Sequence, residues 1–206
     1  MFKRRNGYIL LTLLVITGLA SQVSHTTISR KERKFLVNDL KETKSDLIKS
    51  VRGLSEAQLN FKPAPEKWSV KECVQHLASA EYILWSMAEA ALKQPADAEK
   101  RKDVKVTDEQ LIKMVRDRSN KVKTSEPFEP QNAKWKTAEE ALDALKDKRA
   151  DLIKYAKTTT DDLRNHVVQL PFGTIDTYQL LLMISSHSNR HTQQIEEVKA
   201  DPNFPR

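Results

Sequence analysis

The fold class of this 206-residue chain is decided by residues 177–198, TYQLLLMISSHSNRHTQQIEEV. Apolar residues and histidines recur there at steps of three and four, which is the spacing of one face of an α-helix. Pro202 predicts the end of this helix. The sequence therefore predicts a helix whose inward face carries two histidines in its middle. That face comprises Leu180, Ile184, His187, His191, Ile195 and Val198.

Three more stretches have the pattern of amphipathic helices. Two of them open with a capping box, in which a Ser or Thr and a Glu three residues later satisfy each other's exposed backbone amides. The pairs are Ser69 with Glu72 and Thr137 with Glu140. A similar pair, Thr107 with Gln110, precedes LIKMV and predicts an additional short helix in the least regular part of the chain. The three predicted long helices cover residues 29–54, 69–93 and 137–158.

The composition favours an all-α protein. The chain has only four glycines, and its charged content of 31% is rich in Lys and Glu. A β-sandwich would need frequent turn residues, whereas these residue types are good helix formers. The segments LNFKPAPEKWS (59–69) and LPFGTID (170–176) interrupt the helical pattern and predict connecting loops. We expect one domain over residues 29–206.

The first 20 residues have the layout of a secretory signal peptide. Three basic residues in MFKRRNGY precede the apolar run ILLTLLVITGLA, which ends on Ala20. The run is shorter than the roughly 20 residues that a membrane-spanning helix needs. We expect cleavage before Ser21, a polar spacer over residues 21–28, and export to the periplasm or the exterior of a bacterium. An uncleaved N-terminal membrane anchor is the alternative.

The charge pattern argues against a nucleic-acid partner. Removal of the signal peptide lowers the formal net charge from +7 to +4, because three basic residues leave with it. Acidic and basic residues alternate in KETKSDLIK and DALKDKRADLIK, which predicts solvated helix faces rather than a phosphate-binding stripe. The single cysteine, Cys73, excludes an intrachain disulfide and is predicted to be a buried, unreactive thiol.

The histidines form a candidate metal site. His187 and His191 lie four residues apart, so their imidazoles project from neighbouring turns and can share one cation. His76 lies on the predicted inward face of a different helix. Burial of three imidazoles costs a few kcal/mol unless their nitrogens find partners. A shared metal would supply one partner to all three. Separate hydrogen bonds to carbonyls or to hydroxyls such as those of Ser79 and Ser188 are the alternative.

Two stretches resemble the DinB/YfiT-like family of metal-binding bundle proteins. They are LSEAQLNFKPAPEKWSVKECVQHLASAE (54–81) and PFGTIDTYQLLLMISSHSNRHTQQIEEV (171–198). The resemblance spans about residues 29–205, while residues 95–135 match no motif. It implies an antiparallel four-helix bundle with one long crossover. It also implies that His76, His187 and His191 are the three metal ligands.

The resemblance implies a metal-dependent enzyme that acts on a small-molecule substrate. Three neutral imidazoles leave coordination positions open, as in catalytic zinc sites. We expect one divalent transition metal, zinc in the first place, with nickel, iron or manganese as alternatives. Thiol transfer and hydrolysis are both accessible. A non-catalytic envelope protein that binds or senses metal, and a bundle with histidines only as packing, remain alternatives. The sequence also leaves a homodimer open.

Several residues near the candidate ligands have simpler interpretations. Glu72 is explained by its capping box, and Arg190 is predicted to pair at the surface. Trp68 is expected to pack its loop onto the following helix. Gln194, one turn after the last candidate ligand, is a candidate hydrogen-bond partner for that imidazole. No role is predicted for the two remaining histidines, His25 and His166.

Overall fold

The computed structural model describes residues 28–119 and 123–206, which form a helical bundle with a small hairpin. The predicted signal peptide lies outside the described residues. Two short strands precede the last helix, namely β1 (Val167–Leu170) and β2 (Gly173–Asp176). The helices are α1 (Arg30–Val51), α2 (Glu56–Asn60), α3 (Val70–Leu92), α4 (Asp108–Arg116), α5 (Ala138–Thr158) and α6 (Thr177–Lys199).

The helix starts lie where the capping patterns predicted them. Ser69 caps α3, Thr107 caps α4 and Thr137 caps α5, each in a reciprocal capping box. Such a cap needs only residues that are near each other in sequence, so it forms from local chemistry alone. These boundaries were therefore readable from the sequence.

The four long helices α1, α3, α5 and α6 form a bundle in which two run one way and two the other. Around the bundle, α1 contacts α6, α6 contacts α3, α3 contacts α5, and α5 contacts α1. Side-chain contacts near both ends of each pair show that α1 runs parallel to α6 and that α3 runs parallel to α5. These contacts are Tyr178 to Glu32 and Lys199 to Ser50 for the first pair, and Gln75 to Lys136 and Trp85 to Tyr155 for the second.

Residues 93–137 make the long crossover between the parallel helices α3 and α5. This segment includes α4, which packs against α6, and three short 3₁₀ turns. The predicted four-helix bundle with one long crossover is confirmed. The crossover matters for function because it covers one side of α6, where two of the candidate ligands lie.

The hairpin and α2 were not predicted. The LPFGTID segment was expected to be a loop, but its residues form β2 and the turn that joins it to β1. Gly173 has a φ of +134°, a conformation that residues with a Cβ rarely adopt. Each strand has only four residues, too few to show an alternating pattern. Helix α1 ends at Val51, three residues before the predicted end.

The bundle core contains two apolar clusters with a polar layer between them. Along α5, Leu145 belongs to one cluster and Leu152 to the other. Arg149 lies between them and is fully buried, so the prediction that the basic residues of DALKDKRADLIK are solvated is wrong for this residue. Its partner in the layer is Glu81 of α3. None of the helices in residues 28–119 and 123–206 is long and apolar enough to cross a membrane.

Candidate metal centre

The three predicted histidines meet at one point inside the bundle. His76 comes from α3, and His187 and His191 come from adjacent turns of α6. The Nε2 atom of His187 lies 3.2 Å from Nε2 of His76 and 3.1 Å from Nε2 of His191. One nitrogen from each ring lies within 4.8 Å of the other two. His76 and His191 are buried, while His187 is partly exposed to a cavity.

Hydrogen bonds at the opposite ring nitrogens fix the orientation of two imidazoles. The Nδ1–H of His76 donates to the backbone carbonyl of Phe128 at 2.6 Å. The Nδ1–H of His191 donates to Oε1 of Gln194 at 2.9 Å. Because a carbonyl oxygen and an amide oxygen can only accept hydrogen bonds, these Nδ1 atoms carry the protons. The Nε2 atoms of both rings therefore present lone pairs to the common point.

Burial keeps the three imidazoles neutral. Burial is the main reason why the pKa of His76 is lowered. It also lowers the pKa values of His187 and His191 well below the usual range for histidine. The ring of His76 also lowers the pKa of His187, to which Arg190 and Arg149 add, and the rings of His187 and His76 lower the pKa of His191. A neutral imidazole is the form that binds a metal.

Two of the three nitrogen separations match those around one tetrahedral cation. Zinc–nitrogen bonds of about 2.0–2.1 Å at tetrahedral angles place two ligand nitrogens about 3.3 Å apart. The two measured Nε2 separations, 3.1 and 3.2 Å, are close to this value. Without a cation or a proton between them, the lone pairs of neutral rings repel one another at this distance. Separate hydrogen bonds satisfy the outer nitrogens of His76 and His191, but a neutral His187 has at most one N–H to offer their two Nε2 lone pairs, so the packing alternative leaves at least one of these without its own donor.

Aromatic side chains form one wall of the centre. The ring of Trp68 lies 4.8 Å from that of His76 and stacks on His191 at 5.8 Å. Trp68 was expected to pack its loop onto α3, and the structure adds a contact with α6. The ring of Phe128 lies 6.4 Å from that of His76. These contacts hold the imidazole planes and reduce access of water from this side.

The crossover builds much of the cavity onto which the histidines open. The cavity has a volume of about 1050 Å³ and is lined by all three histidines. Residues of α4 and of the segment 123–129, with Arg118 between them, form part of its wall, including Met114 and Phe128. These residues belong to the stretch that matched no motif. Sequence reasoning could not assign them because their contact with the histidines depends on the path of the crossover.

A chain of polar contacts extends from His191 to the cavity wall. Arg118 donates to Oε1 of Gln194 at 3.4 Å and binds both carboxylate oxygens of Glu197, at 2.7 and 2.6 Å. Arg190 was predicted to pair at the surface. It instead lines the cavity and donates to the backbone carbonyls of Val115 and Asp117, which anchor the end of α4 on α6.

Among the described residues, the others considered in the sequence are not members of the histidine cluster. Glu72 completes the capping box of α3 and pairs with Lys62 at 3.0 Å. Burial raises the pKa of the Cys73 thiol, which matches an unreactive cysteine. The ring nitrogens of His166 face the backbone carbonyl oxygens of Asp162 and Gln94, which can only accept, and His166 is not part of the histidine cluster. His25 lies outside the described residues.

Sequence reasoning missed the buried pair Arg149–Glu81, which lies beside the centre. Arg149 also donates to the hydroxyl of Ser188, the residue that follows His187. The sequence did contain an indication that Arg149 is buried, because it falls between Leu145 and Leu152 on the apolar stripe of α5. A charged residue at such a position is usually buried only when it is paired.

The match to known families agrees with this arrangement. Residues 39–195 match the family model of the DinB superfamily. The chain belongs to the DinB superfamily. The matched range contains all three histidines, so the centre lies in the part of the chain that defines the family.

Two proteins of Bacillus subtilis are similar to this member of the DinB superfamily. The uncharacterized protein YuaE of strain 168 is 26% identical over 160 residues, which cover 77% of this chain and 93% of YuaE. The structure of YfiT is described as that of "a probable metal-dependent hydrolase with an unusual four-helix bundle topology". It matches with a TM-score of 0.57 and 17% identity, over 87% of this chain and 93% of YfiT. At this identity the likeness shows the fold alone.

Proposed function

We propose that this DinB superfamily protein binds one divalent transition metal through Nε2 of His76, His187 and His191, and uses it to hydrolyse a small-molecule substrate. The observation that carries the proposal is the convergence of three Nε2 atoms at the wall of a large cavity. The description of YfiT as a probable metal-dependent hydrolase supports the reaction class.

Three protein nitrogens would leave room for water or substrate on the cation. A divalent cation in such a site supplies Lewis acidity that polarises a carbonyl and lowers the pKa of water. Imidazole ligands suit zinc, which we propose as the resident metal, with nickel, iron and manganese as the alternatives. A closed structural site would instead have four protein ligands. In the described part of the chain, the cluster contains only the three histidines.

The chain's own residues position the donors and shield the site. The Phe128 carbonyl and the Gln194 amide hold the protons of His76 and His191 on Nδ1, and Trp68 covers two of the rings. Both acceptors are neutral oxygens, whereas many metal-binding histidines donate to a carboxylate that makes the imidazole more basic. Neutral acceptors leave the ligands weaker donors. They would therefore preserve more of the cation's acidity for the substrate.

A cobalt-substituted protein tests the proposal. We expect one Co²⁺ per chain, with a visible absorption spectrum that changes when azide is added, because azide can enter an open coordination position. A spectrum unchanged by azide would favour the non-catalytic binding or sensing alternative. A thiol that shifts the spectrum more strongly than azide, together with thiol-dependent turnover, would favour the transferase alternative over hydrolysis.

We also propose that the chain is exported, on the basis of its charged start and short apolar run. Sequencing the N-terminus of protein from the native host tests this proposal. Mature protein that begins near Ser21 and lies outside the cytoplasm is the expected result. Soluble cytoplasmic protein that begins at Met1 would contradict it.

A further inference from the structure

The cavity beside the three histidines has two chemically different ends. Along α6, Met183 lies one turn before His187, and Gln194 and Glu197 lie one to two turns after His191. All of these residues line the cavity. Since a helix rises about 1.5 Å per residue, the two ends are separated along the helix axis, with the histidines between them.

The end near the hairpin is apolar. Leu84 of α3 and Met183 of α6 form its inner wall, and Phe172, in the turn of the hairpin, lies at its rim. The side chain of Phe172 is 46% exposed. Large apolar side chains at the mouth of a cavity are typical of a site that receives an apolar group.

The opposite end gathers cationic groups around one carboxylate. Glu197 forms a bidentate pair with Arg118, and Lys67 and Arg190 are close enough to lower the pKa of Glu197 further. The Arg118 guanidinium is also near the histidines, since it contacts Gln194 at 3.4 Å and Gln194 contacts His191 at 2.9 Å. An anionic group that enters this end would meet these cationic side chains and compete with Glu197 for the guanidinium of Arg118, whose fork geometry suits a carboxylate.

The charge of the whole cavity favours an anion once a metal is bound. Four basic and three acidic side chains line it, and the histidines are neutral. A divalent cation on the histidines would therefore leave the lining clearly positive. The basic residues are Lys67, Arg118, Lys123 and Arg190, and the acidic ones are Glu66, Glu129 and Glu197.

We propose that the substrate is a carboxylate-bearing N-acyl compound of the N-acyl amino acid type. Its acyl chain would lie between Leu84, Met183 and Phe172, its amide carbonyl at the three histidines, and its carboxylate at Arg118. Hydrolysis breaks the acyl C–N bond, forms a C–O bond to the oxygen of water, and transfers a proton of that water to the departing amine. This inference rests on the proposed function and specifies the substrate class of the same site.

The short span between the histidines and Arg118 favours an α-amino acid over a longer linker. A single residue, Gln194, bridges His191 and Arg118. In an N-acyl α-amino acid only the nitrogen and one carbon separate the acyl carbonyl from the carboxylate. A much longer linker would carry the carboxylate past the guanidinium.

Binding of an analogue that cannot be hydrolysed tests this inference on the zinc-loaded protein. In 4-oxoundecanoate, a methylene replaces the amide nitrogen of an octanoyl glycine. We expect calorimetry to show that it binds about tenfold or more tightly than either 4-oxoundecanamide, which lacks the charge, or 4-oxopentanoate, which lacks the chain. A charge-assisted hydrogen bond contributes about 1.5–3 kcal/mol, which corresponds to at least tenfold in affinity.

Matched variants locate the two halves of the ligand. Arg118→Gln should abolish the preference for the carboxylate, and Glu197→Gln should increase it, because the guanidinium loses its resident partner. Arg52→Gln, at an exposed arginine outside the cavity, should change nothing. Phe172→Ser should weaken binding of both eleven-carbon ligands. Phe35→Ser is its control, since Phe35 is 47% exposed and does not line the cavity.

The outcomes separate this inference from the proposed function. Equal affinity for the acid and the amide, or a preference that survives Arg118→Gln, would overturn the inference. Failure of every ligand to bind while zinc loads at one per chain would also overturn it and leave the proposed metal centre intact. Failure of zinc to load would instead overturn the proposed function itself.

Discussion

The bundle contains two neighbouring buried polar clusters that differ in how completely their groups are satisfied. In the first, the guanidinium of Arg149 uses all five of its N–H donors. It binds both oxygens of Glu81 at 2.6 and 2.7 Å, and its other donors reach Ser188, Thr43 and the carbonyl of Leu40. In the second, Nε2 of His187 lies 3.1–3.2 Å from Nε2 of His76 and of His191, and the last two atoms both carry lone pairs.

The comparison distinguishes a structural cluster from a candidate binding site. Both clusters are polar and lie in the same core, and Ser188 of the first is next to His187 of the second. The arginine cluster needs nothing more to be stable. In the histidine cluster, three ring nitrogens lie close enough together to hold one cation, and the cluster opens on a cavity. Unsatisfied donors or acceptors that converge, rather than burial alone, indicate the functional site.

Breaking the arginine cluster should have the largest effect on stability. Arg149→Met leaves the Glu81 carboxylate buried without its partner, and the loss of one member of a buried ion pair costs about 3–5 kcal/mol. Urea unfolding should show this loss, whereas Lys154→Met, at an exposed position of the same helix, should change the free energy of unfolding little. The double variant with Glu81→Met should recover most of the stability. A loss below about 1 kcal/mol for Arg149→Met would show that Arg149 and Glu81 do not form a buried ion pair.

Removal of the metal should have a smaller effect, because the apolar clusters hold the bundle together. A ligand that binds only the folded state stabilises it by about 2.7 kcal/mol when its concentration is 100 times its dissociation constant. We therefore expect a chelator to lower the melting temperature by a few degrees, as measured by calorimetry. An unfolded chain after chelation would make the metal structural and remove the main support for a catalytic centre.

Loss of the hydrogen bond at Gln194 should weaken the metal site without weakening the bundle. Gln194→Leu removes the acceptor that keeps the proton of His191 on Nδ1. Loss of such a partner typically lowers metal affinity by about 10–100-fold. Competition with a chromophoric chelator measures this change. Gln193→Leu, at the neighbouring exposed position, is the matched control, and an equal effect in both variants would refute the role of Gln194.

The smallest expected effect is a dependence of stability on pH in the metal-free protein. Burial lowers the pKa of each of the three histidines in the folded chain. As pH falls below about 6.5, the unfolded chain takes up protons first, so the free energy of unfolding should decrease. His187→Ala should reduce this decrease in urea titrations between pH 5 and 7.5. The same pH dependence in both proteins would show that the rings are not held neutral by the fold.

The sequence predicted the elements that depend on local chemistry and missed those that depend on packing. Capping boxes and apolar stripes located α3, α4, α5 and α6 to within a few residues. The meeting of the three histidines could also be predicted, because the spacing of apolar residues shows which face of each of the two helices points inward. The hairpin was missed because its strands are short.

The surroundings of the histidines depend on distant parts of the chain and were harder to predict. Phe128 reaches His76 only through the crossover, so its carbonyl could not be assigned as a partner. Gln194 was identified because it lies one turn from His191 on the same helix. Arg149 was misread because its neighbours in sequence are charged, while its partners lie on three other helices.

The metal content of the protein and of its histidine variants tests the central claim most directly. Elemental analysis after purification from a native-like growth medium should find about one divalent transition metal per wild-type chain. His76→Ala, His187→Ala and His191→Ala should each lose nearly all of it. His166→Ala should retain it, because that ring bonds to backbone oxygens elsewhere in the fold. Metal content that is unchanged in any of the first three variants would contradict the three-histidine centre.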